Sequence, residues 1–133
     1  MSLVDELKAE HRVLLAQLKA AQKISFDRAA LEKALLEAKE VLFAHLGKED
    51  ARYYGPLLRA ARQDSRLDAI LRLFREDMEL LTKQVLDFYA RIDAQQFGDD
   101  FEEAFKALAT RLRSRISKEE SFLYSEYSRL GLE

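Results

Sequence analysis

Apolar residues recur every three or four positions along four stretches of the chain, the spacing that builds one apolar face on an α-helix. The pattern predicts helices over 3–23, 28–54, 66–94 and 99–129. The breaks between them fall in "KISFDR" (23–28), "GPLLRAARQDSR" (55–66) and "DAQQFGDD" (93–100), segments rich in turn formers. Short connections between long helices imply antiparallel neighbours, hence an all-α, up-down-up-down four-helix bundle. The inward stripe of the third helix reads Leu67, Leu71, Phe74, Met78, Leu81, Val85, Phe88 and Ile92, without a polar member. The other three are interrupted. The first reads Leu3, Leu7, His11, Leu14, Leu18, Ala21 and the second Leu31, Leu35, Ala38, Leu42, His45, Glu49. The fourth reads Phe101, Phe105, Leu108, Leu112, Arg115, Glu119, Phe122, Glu126.

Composition agrees with this pattern. The 133 residues suffice for one hydrophobic core and fall short of two domains, so a single domain over 1–133 is expected. Four Gly, one Pro and no Trp suit a strongly helical globular chain. A net charge of −2 from well-mixed charges carries no basic stripe, which speaks against nucleic acid. No apolar run approaches the roughly 20 residues of a membrane span, and the start "MSLVDELKAEH" lacks a signal-peptide pattern. A cytoplasmic protein that does not engage membranes is the expectation. The chain has no cysteine, so thiolate chemistry and Cys-held metals are excluded. It also shows no nucleophilic triad, phosphate-binding glycine loop or zinc-protease motif, so no enzyme is expected.

His11, His45, Glu49, Arg115 and Glu119 therefore carry the candidate chemistry, all at positions that periodicity assigns to the core. The two hairpins read as distant copies, with "AHLGKEDARYY" (44–54) over "SRISKEESFLY" (114–124): Lys48 falls on Lys118, Glu49 on Glu119, Asp50 on Glu120 and Tyr54 on Tyr124. On this alignment His11, His45 and Glu49 of the first copy stand where the second has Met78, Arg115 and Glu119. A buried carboxylate must be paired, protonated or bound to metal. Two compensators are available. Two imidazoles and one or two carboxylates suit iron, manganese or zinc. Alternatively the fork of Arg115, which stays charged, reaches both carboxylates.

"EHRVLLAQL" with His11, "FAHLGKEDARYYGPLL" with His45 and Glu49, and "RISKEESFLY" together resemble the hemerythrin-like (HHE cation-binding) family over almost the whole chain. That resemblance implies a four-helix bundle built around a non-haem di-iron centre with histidines and two bridging carboxylates. Members serve oxygen binding, iron handling or the sensing of oxygen and redox state. Residue by residue, His11 matches the first-helix ligand, His45 with Glu49 the HxxxE of the second helix, and Glu119 or its neighbour Glu120 the last-helix carboxylate. Phe74 and Met78 stand where the third helix should bring histidine, and Arg115 where the fourth should. The losses fall on one iron, so an intact oxygen carrier is not expected. What remains is residual metal binding or sensing at a mononuclear site of His11, His45, Glu49 and Glu119, holding one iron, manganese or zinc ion. The alternative is a metal-free regulatory or interaction bundle, with no cofactor, in which Arg115 neutralises the carboxylates.

Three further readings concern the surroundings. Tyr53, Tyr54, Phe122, Tyr124 and Tyr127 should gather at one end of the bundle, closing it with hydroxyls toward water or forming a homodimer or partner contact. Glu126 is expected exposed at the bundle end, and Lys48, Lys118, Asp50 and Glu120 on solvated flanks. A histidine phosphotransfer domain is also a four-helix bundle, but it needs its histidine in solvent, and Glu49 beside His45 would repel a phosphoryl group.

Overall fold

The computed structural model describes residues 2–132 and is all-helical among them. Helix α1 spans Leu3–Lys23 and α2 Arg28–Lys48, which runs through a π-helical turn at Glu49–Tyr53 into α3, Tyr54–Ala61. Helix α4 spans Ser65–Asp93. Helix α5, Phe101–Lys118, continues through a second π-helical turn, Glu119–Leu123, into α6, Tyr124–Arg129. The result is four rods: α1, α2–α3, α4 and α5–α6. Side-chain caps open three of them, with Ser2 accepting from the Asp5 amide, Asp27 from Ala30 and Asp64 from Leu67 at 3.0–3.2 Å. Among the described residues no helix is long and apolar enough to cross a membrane.

The second rod outruns its predicted end at 54. Pro56 does not stop it, because Pro56 lies in the first turn of α3, where a missing N–H costs little, and the π turn before it widens the coil that its ring would otherwise strike. In both π turns the bonding skips one residue further back. The Tyr54 amide donates to the Glu49 carbonyl and the Tyr124 amide to the Glu119 carbonyl. The two turns occupy matched positions in the two hairpins, as the internal alignment places them.

The core consists of two apolar clusters with a polar belt between them. One, toward the α1–α2 and α4–α5 loops, gathers Leu14, Leu18, Leu35, Leu42, Val85, Phe88 and Phe105 among others. The other, at the opposite end, gathers Leu3, Leu7, Tyr53, Leu57, Leu71, Leu123 and Tyr124 with their neighbours. His11, His45, Glu49, Arg115 and Glu119 lie between, each 4% exposed or less. Fully burying one leucine is worth about 1.5–3 kcal/mol, so the clusters can hold this belt together despite its desolvation.

Three expectations about facing are corrected. Phe122 is 59% exposed, and Leu123, Tyr124 and Tyr127 are buried in its stead, because the π turn adds a residue and rotates the rest of the rod. Glu126 is half-buried rather than free, bonded to Arg66 and Arg129 at 2.7 and 2.6 Å. The third stripe loses its continuity at Phe74 and Met78, both half-buried. A groove of about 450 Å³ opens there, with Met78, Tyr54, Gly47 and Arg75 among its walls.

Candidate metal centre

Straight α-helical segments carry His11 on α1 and His45 on α2 to facing positions, and Glu49 follows His45 by one turn. His11 Nε2 lies 3.0 Å from His45 Nε2 and 3.7 Å from Glu49 Oε1, and His45 Nε2 lies 2.6 Å from the same oxygen. Behind His45, Glu10 Oε1 sits 2.8 Å from Nδ1, and its other oxygen is held by Lys48. Behind His11, Glu120 Oε2 is 3.5 Å from Nδ1, which has no hydrogen-bond partner among the described residues. The second oxygen of Glu49 is likewise buried without one.

The second half of the belt is organised around Arg115. Its Nε donates to Glu119 at 3.2 Å, one terminal nitrogen to the Phe74 carbonyl at 2.8 Å and the other to the Tyr54 hydroxyl. Asp77 lies 3.6 Å away, and the Phe74 ring lies under the guanidinium at 4.8 Å. Arg115 therefore neutralises one carboxylate, not both. Glu119 is one turn along its own helix, whereas Glu49 is turned toward the histidines. The Tyr124 hydroxyl joins the halves, 3.1 Å from Glu49 Oε1, 3.1 Å from His11 Nε2 and 3.4 Å from Glu119 Oε2. The tyrosine hydroxyls thus do not face water as a closing ring. Tyr53, Tyr54, Tyr124 and Tyr127 are all buried, and those of Tyr54 and Tyr124 are spent on the belt.

Charge is distributed unevenly. Burial opposes ionisation of Glu49, but hydrogen bonds with His11, His45 and Glu119 outweigh it and hold its pKa well below the usual carboxylate value. Burial and the charge on Glu49 push Glu119 well up, against the pull of Arg115. Burial opposes the charged form of His45, but Glu49 and Glu10 outweigh it and raise its pKa. The 2.6 Å contact is that of a charge-assisted hydrogen bond, so in the metal-free chain a proton joins His45 to Glu49.

His11, His45 and Glu49 form the one group with convergent donor atoms that could hold a metal ion among the described residues. The donors suit one. Atoms bound to a single ion at about 2.0–2.2 Å lie roughly 3 Å apart, imidazole and carboxylate are donors that iron, zinc and manganese accept, and metal-bound histidines turn their other nitrogen to a carboxylate as His45 does to Glu10. Glu119 falls outside this group, held by Arg115 and Tyr124. Phe74 and Met78 supply no metal ligand, and the Phe74 carbonyl serves Arg115. His45 is 3% exposed with both nitrogens engaged, which removes the solvent-facing geometry that phosphotransfer needs. Sequence reasoning did not single out Glu10 or Asp77, which lie off the stripes, nor the site roles of Tyr54 and Tyr124. The matched spacing of those tyrosines, five residues after Glu49 and Glu119, was their signal.

Four antiparallel rods with two histidines and a carboxylate buried between the apolar clusters define a helical bundle of the cation-binding kind. The hemerythrin HHE cation-binding domain model matches residues 2–127, and the chain belongs to that family. No curated protein and no solved structure matches it.

Proposed function

We propose that this domain binds one transition-metal ion through His11, His45 and Glu49, iron before manganese or zinc, and serves in metal handling or sensing in the cytoplasm rather than in oxygen carriage or catalysis. The observation that supports this is the convergence of two imidazole Nε2 atoms and one carboxylate oxygen at 2.6–3.7 Å in a site with two orphaned polar atoms. Only a cation can sit among such donors at low cost, and a proton between His45 and Glu49 now takes that place. Bound iron would supply a redox-active, Lewis-acidic centre. The protein's part is to hold it: Glu10 orients His45, Lys48 orients Glu10, and the two apolar clusters keep bulk water out.

The second half argues against a paired centre, because Arg115 fills the region with a charge that cannot be removed. The competing reading is a metal-free interaction bundle, supported by His45 being satisfied when protonated between Glu10 and Glu49. Elemental analysis after purification without chelator, with Fe(II), Mn(II) and Zn(II) titrations of the wild type and His45→Ala, separates the two. About one ion per chain, lost in the variant, is the expected result. Absence of metal under every condition overturns the proposal in favour of the metal-free bundle.

A further inference from the structure

The two tyrosines that follow the π turns are exchanged between the halves of the belt. Tyr54 comes from the first hairpin, yet its oxygen takes a hydrogen bond from Arg115 of the second. Tyr124 comes from the second hairpin, yet its oxygen lies against His11 and Glu49 of the first. Each is the fifth residue after its carboxylate, and only a π turn brings residues i and i+5 to one face. One member of this pair already serves a cation.

Tyr124 is 1% exposed, and its ring stacks on His11 with centroids 5.5 Å apart and planes 13° from parallel, so its hydroxyl has little freedom to point elsewhere. That hydroxyl has one hydrogen to give, and His11 Nε2, Glu49 Oε1 and Glu119 Oε2 all lie within 3.4 Å of it. Its 3.1 Å separations from His11 Nε2 and Glu49 Oε1 match the spacing of neighbouring donors around one ion.

We propose that Tyr124 Oη is a fourth protein donor to the metal, completing a His11, His45, Glu49, Tyr124 set that selects ferric iron. This assignment rests on the mononuclear reading above. A phenolate is a hard anionic oxygen, better matched to Fe(III) than to zinc or Fe(II). On loading, the Tyr124 O–H bond would break as an oxygen–iron bond forms, the proton held between His45 and Glu49 would be displaced, and both protons would leave to solvent, with no change in oxidation state. The phenolate and Glu49 then contribute two negative charges toward the ion's three.

The test loads the metal-free full chain with Fe(III)-nitrilotriacetate and records visible absorption and resonance Raman spectra, with Zn(II) binding measured in parallel. The wild type gains a phenolate-to-iron charge-transfer band with tyrosine ring modes enhanced under it. Tyr124→Phe loses the band and at least about tenfold in ferric affinity while keeping zinc, and Tyr54→Phe keeps the band. If Tyr124→Phe does not fold, phenolate modes in the wild type that persist in both Tyr54→Phe and Tyr53→Phe carry the assignment, and their loss in either overturns it. Ferric iron bound without phenolate modes, or a band that survives Tyr124→Phe, overturns the assignment and leaves the mononuclear site standing. A wild type that binds neither zinc nor iron overturns both.

Discussion

Both hairpins bury a carboxylate at the same point, one turn after a nitrogen-bearing side chain and at the start of a π turn, but they surround it differently. In the first, Glu49 faces His11 and His45, with carboxylates behind the imidazoles. In the second, Glu119 faces Arg115, whose remaining donors are taken by Phe74 and Tyr54. A guanidinium is a cation the chain cannot release, whereas an imidazole pair can exchange a proton for a metal. One repeated motif thus yields a closed half and an open half, and the open half is where binding chemistry can occur.

The largest effect is expected from opening the closed half. Arg115→Ala should destabilise the metal-free protein by about 3–5 kcal/mol, since it strips Glu119, Tyr54 and the Phe74 carbonyl of a buried partner at once. Urea unfolding measures this, and an unchanged midpoint would mean that water already solvates the guanidinium. In the open half, Glu10→Gln should weaken metal binding by about 10–100-fold without changing the stoichiometry, because it removes the charge that orients His45. Competition against a chromophoric chelator reads that loss, and equal affinity would assign Glu10 to surface pairing with Lys48 alone.

The smallest effect separates the halves by pH. The folded-state pKa of His45 lies above its ordinary value of 6.5, so its contribution to stability is fully present below that value and fades as pH rises through the raised one. Chelator-treated protein should therefore lose stability over that window, and saturating Zn(II) should flatten the slope by replacing the proton. Arg115 contributes no such slope, as it stays charged throughout, whereas Glu119, whose pKa is also raised, adds one of the same sign that zinc leaves in place. Unfolding midpoints at a series of pH values test this, and a slope indifferent to zinc would detach His45 from the metal.

The inward positions of His11, His45, Glu49, Arg115 and Glu119 were legible because each lies on an α-helical segment or at the first residue of a π turn, before the period changes, so that spacing alone sets the face. The same rule misplaced Phe122 and turned Glu126 to the wrong company, since a π turn breaks the period on which the rule rests. It also ended the second rod at Tyr54, although a π turn lets Pro56 pass. Glu10 was invisible for another reason. It sits beside the α1 stripe, and its value comes from reaching α2, where His45 and Lys48 meet it.

Local pattern by itself determined four helices, their antiparallel order and the inward positions of five titratable residues, because hydrophobic periodicity acts within one helix. Tertiary structure alone decided which cation each carboxylate receives, that Arg115 serves Glu119 and not Glu49, and that the two tyrosines cross between the halves. Those outcomes depend on the rotation and axial offset of one rod against another. Many packing contacts set both together, and no single stretch of sequence encodes them.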